Sequence, residues 1–340
     1  MRKLLVVLIL GVVLWSGYWF AGSTLLRQGA EEWFADQAAQ GLTAEKTAFS
    51  VRGFPNRFDM RVEGLKLADP ATGFGWQAPF AEVYSMTWKP WHIIAALPPE
   101  QVIRLPDQEV ALASDRFFLS FRTRPASDLP LAAVIVETAA LDATSTIGWT
   151  VKAGRSVASL SADEEVAGAG NAPNAYVLAL DIADLAPDPV AVAKITLASG
   201  LPDRVAVVRL RAVATLTAAL DRHAADTRPA LKTLELTEAL VTWGTLSLTA
   251  KGGLARDEDG FAAGRIEIAV TNWRPLVPAL VAAGTIKKEL ALTVENMLAA
   301  LAKESGDPDV LKLPLVMNGG YMSLGPLPLG PAPMLAGPSG

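Results

Sequence analysis

Along most of this chain apolar and polar residues alternate one by one, and only a few stretches break the habit. Phe58-Asp59-Met60-Arg61-Val62-Glu63 alternates strictly, the period of a half-buried strand. After Gly64 the alternation resumes as Leu65-Lys66-Leu67 with its parity shifted, which predicts a bulge or bend at that glycine. Asp69-Pro70-Ala71-Thr72-Gly73 is turn chemistry. Trp76 to Trp88 supplies a further strand or two, with Tyr84, Met86 and Trp88 on one face. Arg116–Arg124 sets Phe117, Leu119 and Phe121 against Arg116, Ser120, Arg122 and Arg124, with Phe118 out of phase. Tyr176, Leu178, Leu180 and Ile182 alternate again. Val205–Leu216 and Leu234–Trp243 are strand candidates, and Leu246, Leu248 and Ala250 begin a hairpin that turns at Arg256–Gly260 and returns through Ile266, Ile268 and Val270.

The first exception is the run LLVVLILGVVLWSGYWFA, Leu4–Ala21, which carries no charge. It is about as long as a helix needs to cross a hydrocarbon core roughly 30 Å thick. Leu4, Leu8, Leu14, Trp15, Trp19 and Phe20 are its membrane-facing candidates, and Trp15, Tyr18, Trp19 and Phe20 are rings of the kind that settle among headgroups. Two readings stand: a retained anchor, favoured by length and bulky rings, or a cleaved signal ending near Ala21-Gly22-Ser23. Arg2 and Lys3 precede the run, so the expected placement is a single pass through an inner membrane with the bulk of the chain in the periplasm.

The other exceptions have helical spacing. Thr24–Gln40 continues as a helix with Leu25, Leu26, Trp33 and Phe34 on its apolar side and Gly41 as the stop. Leu290, Val294, Met297 and Leu301 mark a helix over 286–304, closed by Gly306 and Pro308. Ala212–Ala225 fits a strand end or a short helix equally well. The expected fold is mainly β: a transmembrane helix followed by an extended, twisted antiparallel sheet of hairpin units with a few packing helices. The expected divisions are an anchor or signal over 1–23, a connecting helix over 24–41, a β-meander over 42–160, a loop over 161–174 and a second β part over 175–340. Gly75-Trp76, Gly148-Trp149, Trp243-Gly244 and Asn272-Trp273 mark similar places in successive hairpins. Pro326 and Pro328 restrict the last strand to an edge or a tail.

Composition changes this picture in two ways. The hydrophobic fraction is 51% and the mean hydropathy +0.30, which the anchor alone does not explain; the excess belongs either to an apolar groove or simply to the abundance of alanine. Net charge is −5 with no Lys/Arg block beyond the N-terminus, so nucleic acid is not an expected partner. With no cysteine there is neither a disulfide nor a lipoprotein anchor. His92 and His223 sit in no metal-binding spacing, and neither a nucleophile elbow, a phosphate loop nor a dinucleotide fingerprint occurs. Asp257, Asp259 and Gly260 lack the remaining ligands of a calcium loop and read as a turn. No catalytic residue, metal ligand or cofactor is therefore expected. Trp88 and Trp91 flank Lys89-Pro90 and are candidate contacts for lipid or a partner, although a strand end folding its rings over the core would look the same.

The Gly53-Phe54-Pro55 turn, the run Gly64-Leu65-Lys66-Leu67-Ala68-Asp69-Pro70, Trp76-Gln77-Ala78-Pro79, Leu97-Pro98-Pro99-Glu100-Gln101 and the closing Gly320–Gly330 segment together resemble bacterial envelope proteins catalogued as domain-of-unknown-function family 2125. The resemblance implies an anchored or exported β-rich protein without an assigned reaction. The strand grammar is also distantly similar to AsmA-like envelope proteins, which are associated with lipid traffic. The expected role is non-catalytic, with lipid or an acyl chain held in an apolar β-groove. The alternative is a scaffold that binds another envelope protein through a sheet edge, and a third reading is a hydrolase whose polar groups converge only in the fold.

Overall fold

The computed structural model describes residues 1–162 and 174–335; most of the expected 161–174 loop lies outside them. The chain is mainly β, its strands antiparallel in an open sheet, with a long apolar N-terminal helix and a few shorter ones. It divides into two units, Met1–Thr123 with Val136–Trp149, and Arg124–Ile135 with Thr150–Gly340.

Unit 1 begins with α1 (Arg2–Ala39), 38 residues without a break. The apolar run and the expected connecting helix are one rod, because no proline interrupts it and Gly11, Gly17, Gly22 and Gly29 all lie inside it. The strands that follow are β1 (Thr43–Glu45), β2 (Ala48–Arg52), β3 (Arg57–Ala68), β4 (Gly75–Met86), β5 (Lys89–Ala96), β6 (Glu100–Leu105), β7 (Gln108–Ala113) and β8 (Arg116–Thr123). β9 (Leu131–Ala139) contributes its residues from Val136 onward, and β10 (Leu141–Ser145) completes the unit.

Register explains the shape of this sheet. Glu63 faces Phe80 and Leu65 faces Ala78, so β3 and β4 keep one register across Gly64. The expected bulge is therefore a bend, with no extra residue on either strand. Gly64 has φ +59°, and a Cβ there would lie 2.6 Å from the Thr47 side chain. β1 and β2 are likewise one register against β3, interrupted opposite Gly64. Thr47, Gly64 and Pro79 thus fall on one line across three strands. Beyond that line the sheet forks: Glu82–Met86 of β4 pairs with β5 and onward to β8, whereas Gly75–Gln77 pairs with β6, then β7 and β10. Pro79, at the fork, has no N–H to leave unpaired.

Unit 2 contains β11 (Thr150–Ala153), β12 (Ser156–Ala162), β13 (Ala175–Leu185), α2 (Pro189–Ser199), β14 (Val205–Leu216), α3 (Ala224–Thr227), β15 (Leu231–Trp243), β16 (Leu246–Arg256) and β17 (Ala262–Thr271). Then come α4 (Leu276–Ala282), α5 (Ala291–Glu304), β18 (Val310–Asn318), β19 (Tyr321–Leu324) and β20 (Leu327–Pro331). From β12 to β20 each strand pairs with the next. Because β12 pairs with β13, the 161–174 segment joins two neighbouring strands of one unit. α2 is an addition to the expected helices. Asp188 caps it, accepting from Val190 and Ala191 N–H at 3.0 and 2.9 Å, and Gly200 ends it at φ +72°. The core lies where α4 and α5 cover β16–β18: Trp273, Val277, Leu298, Ala302 and Leu311 are buried together. The Trp273 indole also donates to Pro308 O at 3.1 Å.

Trp273→Ala removes the largest fully buried side chain of this core and should cost about 3–5 kcal/mol. Urea unfolding of the detergent-solubilised chain, followed by far-ultraviolet ellipticity, measures the loss.

Candidate functional site

Three features of unit 1 bear on function, and the first is how α1 meets the sheet. Within about one turn of the helix the Trp15 indole donates to Pro55 O at 3.0 Å, the Tyr18 hydroxyl to Thr87 O at 2.8 Å and the Trp19 indole to Arg57 O at 2.8 Å. Trp19 is buried with Val51 and Phe58, backed by Leu26, Phe49 and Met60. Its ring stacks on Phe58 at 6.1 Å and meets the edge of Phe54 at 5.5 Å. Gly22 lets this happen, since a Cβ there would come within 2.7 Å of the Phe58 ring. Further along, Lys46 pairs with Glu31 at 2.7 Å and lies over the Phe34 ring. The ring collar expected among headgroups is therefore split. Trp19 is sealed against the sheet, Phe20 is 60% exposed, and Leu4, Leu8 and Leu14 project freely from the helix.

The second feature is a cleft of about 820 Å³ at the fork. Its buried lining is Leu65, Ala78 and Gln101, and Val102, Ala111 and Ala113 widen the apolar wall. Gln101 is held on both sides: its amide donates to Pro98 O at 3.2 Å and its carbonyl accepts from the Trp76 indole at 3.0 Å. Glu45 and Glu100 line the cleft with a single ammonium, Lys66, 3.7 Å from Glu45; Asp142, also in the lining, has a polar partner of its own. The cleft thus pairs an apolar interior with a net negative border. None of these carboxylates stood out in the sequence. The available signal was Pro79 inside an otherwise regular strand, which marks a place where pairing must stop.

A smaller pocket of about 360 Å³ is lined by Arg57, Tyr84, Met86, His92 and Ile94, among others. Beside it the Tyr84 hydroxyl donates to Glu82, which also accepts from Arg61. That bond pushes Tyr84 up to about 12, and the same hydroxyl, opposed by partial burial and helped by Arg61, holds Glu82 below the usual carboxylate range. His92 sits 3.1 Å from Ser120 Oγ; burial, then Lys89 and Arg122, lowers its basicity. Trp88 is 54% exposed on the β4–β5 turn, whereas Trp91, inside β5, is half-buried. The fold separates the two candidate rings into one outward and one partly covered. His223 lies in unit 2, 4.0 Å from Asp128. Among the described residues no three His, Asp or Glu side chains gather as a metal set.

A family model described as "Uncharacterized protein conserved in bacteria (DUF2125)" matches residues 19–333. The chain belongs to this family. The span matched to DUF2125 opens at Trp19, the ring seated on β2 and β3, and takes in the Gly53-Phe54-Pro55 turn, the Gly64 and Pro79 crease and the whole cleft. No curated protein and no solved structure matches the chain.

Gly22→Val should drive the Phe58 ring from its seat and weaken docking by roughly 1–3 kcal/mol. Gly17→Ala, with open space around it, should not. Proteolysis in the β2–β3 turn of detergent-solubilised protein reports the difference as a faster cut for the first variant alone. The Tyr84–Glu82 pair sets a pH window. A phenol raised from 10.0 to about 12 stabilises the fold below pH 10 and loses that contribution as pH climbs through about 12. The lowered Glu82 contributes above the ordinary glutamate range and loses it as pH falls. In an ultraviolet titration Tyr84→Phe should delete the tyrosine that ionises near pH 12.

Proposed function

We propose that this protein is a single-pass inner-membrane protein whose bulk faces the periplasm, and that it holds an acyl chain or lipid in the fork cleft without catalysing a reaction. Arg2 and Lys3 ahead of a helix long and apolar enough to span a membrane support the placement. The cleft is the observation that carries the role. Its volume of about 820 Å³ is that of a site for a medium-sized organic ligand. Its apolar lining suits methylene groups, and the proteins of an envelope meet such chains at every membrane surface. Glu45 and Glu100 outnumber Lys66 among its lining charges, so an amphiphile with a neutral or ammonium-bearing polar end fits better than a free fatty acid. The scaffold reading draws less support. The terminal strand β20 does present exposed Leu327 and Leu329, but Pro328 and Pro331 lack the N–H groups that an added strand would need.

Native mass spectrometry of the full chain released from detergent micelles tests the proposal. Lipid also clings to α1, so the cleft's share is the difference between the unmodified chain and Ala111→Trp, which fills the apolar wall. The expected result is one retained lipid, enriched in phosphatidylethanolamine over phosphatidylglycerol, that is lost in Ala111→Trp. Equal retention by both chains removes the cleft from consideration.

A further inference from the structure

We infer that the β2–β3 and β4–β5 turns of unit 1 sink into the half of the bilayer remote from Arg2 and Lys3, with Phe20, Phe54 and Trp88 in contact with lipid. The inference rests on α1 spanning a bilayer and is independent of what the cleft binds.

The argument begins with length. Leu4–Ala21 rises about 27 Å at roughly 1.5 Å per residue, close to the hydrocarbon thickness. The turns, however, dock well inside that run, because Pro55 is bonded to Trp15 and Thr87 to Tyr18. The helix free of the sheet, Leu4–Leu14, rises only about 16 Å. If the docked turns stayed in water, half of the hydrocarbon would have no helix to match it, a mismatch that costs free energy for every ångström. Sinking the turns by about 10 Å removes most of it, and that is near the depth at which amphipathic segments lie in the headgroup and acyl boundary.

The turns are made for such a place. A backbone group without a partner is costly in hydrocarbon, and here five carbonyls of the turns are occupied. Pro55, Arg57 and Thr87 O accept from α1 side chains. Gly53 O accepts from Asn56 and Arg57 N–H, and Asn56 O from both the N–H and hydroxyl of Thr87. The outward surface is apolar except for Asn56: Phe54 is 51% exposed and stacked on Phe20 at 5.7 Å, Pro55 is exposed, and Trp88 is 54% exposed. Arg52 and Lys89 are exposed on the strands next to the turns, where long stems carry their charges up to headgroup phosphates, while Arg57 keeps its charge on Asp59 at 2.8 Å.

The chain has no cysteine, so single nitroxide labels read depth directly. Leu10→Cys, Phe54→Cys, Trp88→Cys and Asp107→Cys would be labelled in the full chain and reconstituted into vesicles of phosphatidylethanolamine and phosphatidylglycerol. Relaxation by oxygen is then compared with relaxation by a water-soluble nickel chelate. Positions 54 and 88 should show an oxygen-to-nickel ratio severalfold above that of Asp107, in the exposed β6–β7 turn, and nearer that of position 10. Ratios at 54 and 88 equal to that at 107, with position 10 high, overturn the inference and leave the anchor standing; a low ratio at position 10 overturns both. Brominated lipids supply a measurement on nearly native protein. They should quench a larger fraction of the fluorescence of the unmodified chain than of Trp88→Phe, and equal fractions count against insertion.

Discussion

Three side chains of one helix donate hydrogen bonds to three backbone carbonyls of the sheet, and the way unit 1 holds its long apolar helix depends on those bonds. Each is worth only about 0.5–1.5 kcal/mol in a wet setting, and more where water is scarce. Their geometry matters more than their sum. They fall within about one turn of α1 and reach two separate turns of the sheet, so helix and strands cannot shift along one another without breaking all of them. Burial of Trp19 against Val51 and Phe58 adds an apolar contact that would be lost at the same time. A long apolar N-terminal helix is often a tether from which a domain hangs; here it is built into the domain.

The cleft follows from a second constraint of the same kind. A sheet can divide only where a strand stops offering partners, and β4 does so around Pro79. Directly across, Gly64 takes a conformation that other residues resist, and Thr47 closes against it. The crease is thus written three times, on three strands, and no single residue would have opened it. The buried Gln101, bonded at both ends, holds β6 and β4 together where the two wings part.

Much of this was legible in the sequence, and the rest was hidden for identifiable reasons. Alternation located β3, β8 and β14 because a one-sided sheet imposes it, and the uncharged run located α1 because nothing else requires one. α2 was missed although Asp188-Pro189 and Gly200 are a cap, a first-turn proline and a stop; the helix is nearly all apolar and shows no wet face. The docking of Trp15, Tyr18 and Trp19 was hidden for another reason. Their acceptors are backbone carbonyls, which every residue has, so no residue type betrays them. Of the tryptophans that mark the hairpins, Trp243 and Trp273 likewise donate to backbone carbonyls, Pro202 O and Pro308 O, while Trp76 and Trp149 donate to the side chains of Gln101 and Gln108. Their recurrence showed in the sequence, and their task of closing strand ends needed the register. Gly64 and Pro79 were each noticed, yet only pairing reveals that they face one another.

The unbroken α1 has one more consequence. A domain on a flexible stalk swivels, so a molecule approaching in the plane of the membrane meets it at every angle and must wait for the right one. Unit 1 is pinned to its helix at two turns of the sheet and along the strands beside them, and has no such freedom of its own. With α1 across a bilayer, any turning would have to be the turning of the whole helix against lipid. Each copy would then keep a fixed height and the same tilt, and whatever the cleft or the turns engage would find them already aimed, which lowers the orientational entropy lost on encounter.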